Sequence, residues 1–384
     1  MRVSHVITRL VVGGAQENTV SSVLGLRQIP GVEIDLISGP TTGPEGTLEP
    51  TVSKIPGLLT LVPDLVRPVK PMQDWRALRE LENIFRSFQP DIVHTHSGKA
   101  GVVGRLAAHR AGVPIIVHTI HGASFGSFQG PVANAVFSEA ERIAAEVTDH
   151  FVVVANAMTD QYLAAGIGRP GQFTQIFSGF DIDPFLSAQN DPMLRQQLGL
   201  QPDDFVVGKV ARLVDLKGHD DLFAVAPALV RKCPNIKFLF VGDGMFRERF
   251  TARAATLRLT DRFVFAGLVR PDEVCRYVGI MDVLVHLSRR EGLPRALPQA
   301  MAAGKPVIAF DCDGAREVCL TQKTGFLLAT GDLAGLTLRL TELCQEPELR
   351  AQLGRRGQAL VRDAFPIQRM VDDLHTLYQK LLAR

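Results

Sequence analysis

The stretch HLSRREGLPRALPQAMAAGKPVIA, residues 286–309, decides the fold class of this chain. The apolar run at 283–287 predicts a short buried strand, and 288–292 is a polar loop at its carboxyl end. A helix is predicted to begin within 293–298, because the two prolines there fit only in a first turn. Gly304 is a candidate to end this helix before the next strand. This order is typical of a parallel α/β sheet.

This arrangement predicts a binding place at the start of the helix. Free N–H groups of a helix N-terminus, near Leu297 here, would point into the crevice above the sheet, where phosphate binds in many α/β proteins. Glu291 and Gln299 are eight residues apart, and a carboxylate and an amide there can hold neighbouring hydroxyls of a sugar or ribose. The alternative is a solvated loop residue and a helix-surface residue, and the local pattern leaves both open.

The same stretch, EGLPRALPQAMAAGKPV, resembles the Glu-x7-Glu signature of the GT-B retaining glycosyltransferases of family 4. The resemblance implies that Glu291 meets the transferred sugar and that position 299 meets the ribose of the nucleotide. Gln299 departs from the family's Glu; it can still hydrogen-bond ribose hydroxyls, but it carries no charge. The resemblance also implies donor contacts from the loop residues between them, Gly292, Leu293 and Pro294.

Composition sets the broad class of the protein. A chain of 384 residues is long enough for two domains, and 46% hydrophobic with 21% charged residues is typical of a soluble globular protein. The net charge of +2 indicates no nucleic-acid partner. Five scattered cysteines without a C-x-x-C pair indicate a reducing compartment, and neither a signal peptide nor a membrane-spanning run is recognised. We expect a cytoplasmic protein.

The N-terminal segment predicts the start of a doubly wound sheet. Val3–Leu10 is a predicted strand, followed by a Gly-Gly loop and a helix over 17–27. Gly13 and Gly14 allow the backbone to approach a ligand closely, although an ordinary strand-to-helix turn is the alternative. RLVVGGAQENT fits the family's form, and the resemblance implies that Gly13 and Gly14 face the donor diphosphate.

Four histidines lie near strand ends in the N-terminal half. His94 and His96 share one face of a predicted strand, and His118 and His121 follow in the next strand and its loop. They could bind a metal ion or serve as hydrogen-bonding groups; we favour the second, because the nearby loops lack the carboxylates and thiolates of a metal site. VHTIHG resembles a family motif and implies that His121 lies beside the sugar hydroxyls; a loop histidine without a catalytic role is the alternative.

Two cations follow the first strand of the C-terminal half. Arg212 and Lys217 flank a turn before a helix, where they can converge on a diphosphate. Two surface cations are the alternative, which is disfavoured because cations near a helix N-terminus oppose its dipole unless an anion binds. ARLVDLKGHDDL is similar to the family's Arg-x4-Lys-Gly element. Gly242, in a Gly-Asp-Gly turn, resembles a turn near the nucleotide, and a plain turn explains it equally well.

The alternation of strands and helices predicts an α/β protein of the GT-B class, with two doubly wound, Rossmann-like parallel-sheet domains facing across a cleft. We place an N-terminal acceptor-side domain at 1–180 and a nucleotide-sugar domain at 190–365. The linker is predicted at about 178–190, where QIFSGFDIDPF resembles the family's interdomain segment. By the resemblance, a last helix at about 366–384 packs back onto the first domain.

The reaction implied is retaining transfer of a sugar from a nucleotide diphosphate donor, expected to be a UDP-sugar, to a hydroxyl of a glycan or lipid-linked acceptor in polysaccharide or glycoconjugate synthesis. Catalytic roles are assigned to Glu291, His121, Arg212 and Lys217, with no cofactor and no metal, because cations and backbone amides can stabilise the leaving diphosphate. No Asp-x-Asp motif stands at a plausible metal position. A lipid-linked acceptor would bring transient contact with the inner membrane face.

Two other functions stay open. A sugar epimerase would share the fold and the nucleotide pocket, but it needs further acid and base carboxylates, and none stands out. A nucleotide-sugar-binding protein without transferase activity is conceivable because of Gln299. A nicotinamide oxidoreductase is excluded, because the first loop lacks G-x-G-x-x-G.

Overall fold

The computed structural model describes residues 1–42, 46–126 and 129–383 of the chain. The chain divides into two compact units, and its C-terminal end belongs to the first of them. Unit 1 comprises Met1–Phe180 and Ile367–Arg384, and unit 2 comprises Asp181–Pro366.

Unit 1 is built on a parallel sheet with the strand order β3-β2-β1-β4-β5-β6-β7. Apolar residues point to both faces of its central strands, as expected for a sheet that is covered by helices on both sides. The strands are β1 (Arg2–Ile7), β2 (Glu33–Ser38), β3 (Leu59–Leu61), β4 (Ile92–His96), β5 (Ile115–Ile120), β6 (His150–Val153) and β7 (Phe173–Gln175).

The helices of unit 1 include the last helix of the chain. Val371, Leu374 and Tyr378 of that helix are buried in one cluster with residues of the first helix and of the sheet. The helices are α1 (Gly14–Leu26), α2 (Glu49–Ser53), α3 (Pro71–Phe88), α4 (Gly98–Ala111), α5 (Pro131–Glu146), α6 (Asn156–Ala164) and α15 (Ile367–Leu382).

Unit 2 contains a second parallel sheet, with the order β10-β9-β8-β11-β12-β13. Its strands are β8 (Phe205–Val210), β9 (Ile236–Val241), β10 (Phe263–Gly267), β11 (Val283–His286), β12 (Val307–Phe310) and β13 (Gly325–Leu328). Its helices are α7 (Asp183–Leu186), α8 (Pro192–Gln197), α9 (His219–Lys232), α10 (Arg247–Thr256), α11 (Val274–Gly279), α12 (Ala296–Ala302), α13 (Leu333–Gln345) and α14 (Pro347–Ala364).

The predicted α/β class with two doubly wound parallel sheets is confirmed. The central stretch forms β11, α12 and β12 in the predicted order, and Gly304 has a left-handed φ of 68° just after α12. Two boundaries differ from the prediction. β1 ends at Ile7 rather than Leu10, because Leu10 leaves the sheet and hydrogen-bonds Thr41 and Leu48. Residues 181–189, predicted as linker, contain α7, which packs on other helices of unit 2.

Each sheet reverses its strand order at one place. The reversal lies between β1 and β4 in unit 1 and between β8 and β11 in unit 2. A crevice opens beyond the carboxyl ends of the strands at such a point, and ligands of doubly wound proteins bind there. The loops after these four strands are therefore where binding residues are expected. Within the described ranges, no helix combines the length and apolarity that a membrane crossing needs.

Candidate functional site

The structure brings together Lys217 and Glu291, two residues 74 positions apart in the sequence. Lys217 follows β8 and Glu291 follows β11, the two strands at the reversal point of unit 2. The Lys217 ammonium donates a hydrogen bond to Oε1 of Glu291, and these side chains are 21% and 17% exposed. His286 Nε2 lies 3.3 Å from the same oxygen. Glu291 is thus a largely buried carboxylate with a cation beside it.

The charge of Glu291 follows from these neighbours. Burial alone would raise the pKa of Glu291, but the contact with His286 and the ammonium of Lys217 outweigh it and hold this pKa well below its usual range. Burial in turn lowers the pKa of His286, so this ring is neutral near pH 7. The site therefore presents an ionised carboxylate, which can accept hydrogen bonds from hydroxyl groups.

The backbone at Glu291 is fixed from the side of β12. The N–H of Glu291 donates to Oδ2 of Asp313 at 2.6 Å, and the N–H of Gly314 donates to the carbonyl of Gly292 at 3.0 Å. Asp313 has a φ of 48°, a left-handed conformation that is uncommon outside glycine. The sequence analysis assigned no role to Asp313, and it missed both this positioning role and the His286 contact.

The other side of the same loop is tied to the loop after β8. Arg289 makes a bidentate ion pair with Asp221 of α9, at 2.7 and 2.8 Å. The N–H of Arg289 also donates to the carbonyl of Leu216 at 2.8 Å. Leu216 directly precedes Lys217, so this bond and the Lys217–Glu291 ion pair hold the two loops in one geometry.

Arg212 lies in the turn after β8, and its side chain is exposed. Across the described ranges it has neither an ion-pair nor a hydrogen-bond partner for its guanidinium, so the structure does not bring it into contact with Glu291. A free guanidinium keeps all of its donors for an anion. Its predicted role at a diphosphate stays a prediction.

Gly242 holds the end of β9 close to the turn after β8. Its φ is 131°, and a Cβ at this position would lie 2.3 Å from the carbonyl oxygen of Ala211. Glycine is therefore required here by the close backbone approach. This packing explains Gly242 without a ligand, and its predicted donor contact is untested.

The remaining predicted donor residues surround α12. Leu293 and Pro294 are buried in the loop before the helix, and Gly292 is half-buried next to Glu291. Gln299 is half-buried in α12, with its N–H donating to the carbonyl of Arg295 at 3.1 Å. Glu291 thus lies in the loop before α12, and Gln299 lies in the middle of that helix.

A buried polar group that the sequence analysis missed lies behind this site. Lys209 of β8 is 1% exposed, and its Nζ has no hydrogen-bond partner in the described part of the chain. Burial first, and then the charge of Lys217, lower the pKa of Lys209 to about 7. Both ring nitrogens of His219 and the hydroxyl of Ser288 are likewise buried without a described partner. The signal that could have identified Lys209 is a lysine within a strand that the apolar pattern predicts to be buried.

In unit 1, Gly13 and Gly14 begin α1. Gly13 has an extended backbone, and its carbonyl accepts the N–H of Glu17 at 2.9 Å. A Cβ on Gly13 would lie 2.9 Å from Oε1 of Gln16, which is the end of a flexible side chain. The Gly-Gly turn thus stands after β1, at the reversal point of this sheet.

His121, after β5, ends a set of hydrogen-bonded side chains that we call the histidine network. Its Nε2 lies 3.1 Å from Nδ1 of His96, whose Nε2 lies 2.9 Å from Nδ1 of His5. Nε2 of His5 lies 3.3 Å from the Tyr378 hydroxyl, which also bonds Nδ1 of His94. Nε2 of His94 lies 2.6 Å from the hydroxyl of Thr119. The members of the network are therefore His121, His96, His5, Tyr378, His94 and Thr119.

The members of the network are buried except His121, which is half-buried, and the rings are neutral. Burial lowers the pKa of His5 and His121 to about 3. Burial together with neighbouring histidines lowers the pKa of His94 and His96 well below the usual value. The sequence analysis identified His94, His96 and His121, but it missed His5 and Tyr378, because only the pairing of β1 with β4 and the packing of α15 bring them here.

The ring nitrogens of His5, His94 and His96 also come close enough to suggest a metal site. One nitrogen from each ring lies within 4.8 Å of the others. However, both nitrogens of each of these rings already have a hydrogen-bond partner within the network. The geometry therefore agrees with the hydrogen-bonding interpretation that we favoured from the sequence.

Comparisons with known proteins place this geometry in context. Residues 190–360 match the family described as glycosyl transferases group 1, and residues 13–176 match the glycosyl transferase 4-like domain. A GDP-mannose-dependent alpha-mannosyltransferase of Mycobacterium tuberculosis is 31% identical, over 81% of this chain and 77% of that protein. The UDP-Gal:alpha-D-GlcNAc-diphosphoundecaprenol alpha-1,3-galactosyltransferase of Escherichia coli is 28% identical, over 83% of this chain and 82% of that protein.

Among solved structures, Anabaena HepE in complex with UDP superposes with a TM-score of 0.82. It is 22% identical and covers 99% of this chain and 100% of its own. At this identity the likeness establishes the fold, and the predicted GT-B class is confirmed.

Proposed function

The chain belongs to the glycosyl transferases group 1 family and is a glycosyltransferase, and from this premise we propose that it moves a sugar from a nucleotide diphosphate donor to a hydroxyl acceptor with retention of the anomeric configuration. The observation that carries the proposal is the Lys217–Glu291 ion pair at the reversal point of the second sheet. It supplies a cation for a diphosphate and a carboxylate for sugar hydroxyls in one place.

The chemistry requires stabilisation of negative charge on the leaving diphosphate. As the bond between the anomeric carbon and the diphosphate oxygen breaks, its electron pair stays on the diphosphate. Lys217 uses one donor on Glu291 and keeps two for phosphate oxygens, while Arg212 is exposed and free to add its planar fork. The amides at Gly13 and Gly14 would add further donors. Preorganised cations of this kind commonly contribute 10²- to 10³-fold to the rate.

Glu291 and His121 are proposed to orient the sugar rather than to attack it. The loop that carries the ionised carboxylate of Glu291 is held from both sides, by Asp313 and by Arg289, and Lys217 bonds the carboxylate itself. A carboxylate fixed in this way can accept hydrogen bonds from sugar hydroxyls without reorganisation. Gln299 would meet the ribose through its amide.

We propose a UDP-sugar as donor and a lipid-linked or glycan hydroxyl as acceptor, in polysaccharide or glycoconjugate synthesis. The E. coli relative is named for UDP-Gal and for a diphosphoundecaprenol acceptor, and HepE was crystallised with UDP. The M. tuberculosis relative is named for GDP-mannose, so the donor base needs a direct test. A lipid-linked acceptor would require transient contact with the inner face of a membrane.

The decisive experiment measures hydrolysis and transfer across UDP-, GDP- and ADP-sugars for the intact protein. We expect one donor class to be turned over and Glu291→Ala to lower kcat by about 10²- to 10³-fold. Glu342→Ala is the matched control, because Glu342 is likewise a glutamate paired with a cation, Arg339, but lies in α13. Binding of a donor without turnover by the wild-type protein would replace the transferase mechanism with a binding role.

The same assay tests the ribose contact. Gln299→Glu restores a carboxylate that accepts from two ribose hydroxyls, so we expect donor KM to fall several-fold with kcat little changed. An unchanged KM would remove Gln299 from the ribose site. The anomeric configuration of the product, read by NMR, tests retention.

We also propose that turnover needs no metal ion. Arg212 and Lys217 supply the positive charge that a divalent cation supplies in other transferases. Protein treated with EDTA and assayed in EDTA should keep its full kcat, and loss of turnover that is restored by Mg²⁺ or Mn²⁺ would overturn this proposal.

A further inference from the structure

The histidine network of unit 1 has a property that follows from counting its protons. A neutral imidazole has one N–H donor and one bare nitrogen acceptor. Each of the rings of His5, His94 and His96 contacts one partner through each nitrogen. Every ring must therefore donate to one side and accept from the other, and the Tyr378 hydroxyl must do the same.

Only two arrangements of protons satisfy the whole network. In the first, the Thr119 hydroxyl donates to His94, and every later bond points the same way, so His121 accepts at Nε2 from His96. In the second, all bonds are reversed, so His121 donates from Nε2 and His94 donates to Thr119. All four rings carry the proton on Nδ1 in the first arrangement and on Nε2 in the second. The tautomer of His121 is thus coupled to Thr119 at the far end.

The end group at Thr119 distinguishes the two arrangements. Its hydroxyl is buried, and in the described part of the chain its one hydrogen-bond partner is Nε2 of His94. In the first arrangement the Thr119 hydroxyl donates its hydrogen bond to Nε2 of His94. In the second, Thr119 accepts from His94 and its own proton has no acceptor, which is costly for a buried hydroxyl. The first arrangement is therefore favoured.

We propose that Thr119 and Tyr378, acting through the buried histidines, hold His121 in the tautomer that carries its proton on Nδ1, so that His121 presents an N–H donor to a hydroxyl of the donor sugar. The inference rests on the proposed function for its last step, the contact with the sugar. Thr119, His94, Tyr378, His5 and His96 are then positioning residues, because they act on the substrate only through His121.

The fold places the members of the histidine network next to one another. His5, His94 and His96 come from adjacent strands, with His5 paired to His94 across β1 and β4. The ring of His96 stacks on those of His5 and His94 at centroid separations of 5.1 and 4.5 Å, and the rings of His5 and His94 are tilted against each other at 4.9 Å. Tyr378 reaches them from α15, which covers this face of the sheet. The network therefore connects the C-terminal helix to the loop that carries His121.

The first test is direct observation of the tautomers. In protein labelled with ¹⁵N-histidine, protonated and bare ring nitrogens have well-separated shifts, and single histidine substitutions assign the four rings. We expect His5, His94, His96 and His121 all to be protonated on Nδ1, against the usual preference of free imidazole for Nε2. Protonation on Nε2, or a mixture of forms among the four rings, would overturn the proposal.

The second test breaks the network at Tyr378. Tyr378→Phe removes the hydroxyl that joins His94 to His5, so we expect His121 to lose its single tautomer. kcat should fall about ten-fold, as for one lost hydrogen bond, while donor KM stays unchanged. Tyr162→Phe is the matched control, because Tyr162 is a buried tyrosine of the same unit outside the network. Equal effects of the two substitutions would indicate a purely structural role.

Substitutions of Thr119 give a conservative rescue. Thr119→Ser keeps the hydroxyl and should retain the Nδ1 tautomer and wild-type kcat, whereas Thr119→Val should lose both. Metal content is measured on the same samples, because a metal ion on His5, His94 and His96 would need their bare nitrogens. A stoichiometric metal lost in His5→Gln would overturn the network. Failure of every donor to react would contradict the proposed function but not the tautomer assignment, since the NMR spectra do not depend on turnover.

Discussion

Arg105 of unit 1 and Lys209 of unit 2 are both buried cations, but they differ in their hydrogen-bond partners. Arg105 of unit 1 is fully buried, and its guanidinium bonds Glu141 at 2.6 Å, Gly101 at 2.7 Å and Thr148 at 3.3 Å. Lys209 of unit 2 is 1% exposed, and no described residue accepts a hydrogen bond from its ammonium. Both side chains arise from the core of a parallel α/β unit, but only one of them is paired.

A second contrast is between the histidine network of unit 1 and the polar residues near Lys209 in unit 2. The histidine network of unit 1 uses both ring nitrogens of His5, His94 and His96, whereas His219 and Ser288 of unit 2 have buried polar atoms with no partner in the described ranges. A completed network holds one geometry by itself, while unpaired polar atoms destabilise the protein unless something else satisfies them. The unpaired atoms of unit 2 lie behind Lys217 and Glu291, where we propose that the donor binds.

The largest expected difference between the units is the loss of stability at low pH. In unit 1, burial lowers the pKa of His5 and His121 to about 3 and also lowers the pKa values of His94, His96 and His118. In unit 2, burial lowers the pKa of His219 to about 2 and also lowers the pKa of His286. In the unfolded chain these groups titrate near 6.5, so below that pH the unfolded state binds more protons and stability falls, by up to about 1.4 kcal/mol per pH unit for each histidine.

Unit 1 contains more of these histidines, so lowering the pH from 7.5 to 5.5 should weaken it more. Hydrogen exchange read by mass spectrometry, corrected for the intrinsic pH dependence, should show a greater loss of protection in β1, β4 and β5 than in β8 and β11. An equal loss in both sets of strands would contradict the comparison.

The next effect is the loss of a paired cation. Arg105→Met leaves the buried carboxylate of Glu141 without its guanidinium, and we expect the free energy of unfolding to fall by about 3–5 kcal/mol. Arg142→Met is the control. The Arg142–Glu139 pair lies in α5, the helix that also carries Glu141, but it is exposed and should contribute about 0–1 kcal/mol. Urea unfolding curves measure both. Similar small losses would mean that the Arg105 pair is unimportant.

The smallest effect has the opposite sign. Lys209→Met replaces an unpaired buried ammonium by an apolar side chain of similar length, and we expect a gain of about 1–3 kcal/mol in the free energy of unfolding. Lys237→Met, at a partly exposed lysine of β9, should change stability by less than about 0.5 kcal/mol. A loss of stability in Lys209→Met would show that the ammonium is satisfied in solution.

Much of the site could be predicted, because its motifs are local. The stretch 286–309 specifies a strand, a loop and a helix through the spacing of its apolar residues and prolines, and the structure has these elements in that order. Arg212, Lys217 and Glu291 were identified because they stand in loops after predicted strands. Their roles at the donor still depend on the resemblance and on the experiments above.

The sequence by itself determined the α/β class, the family and most of the candidate residues, since these depend on short-range patterns of apolar, glycine and charged positions. Only the tertiary structure decided which residues contact each other. Asp313 holds the backbone of Glu291 across 22 residues, and Tyr378 meets His94 across 284. Such contacts arise from strand order and helix packing, and these are set by the whole chain, so no local pattern contains them.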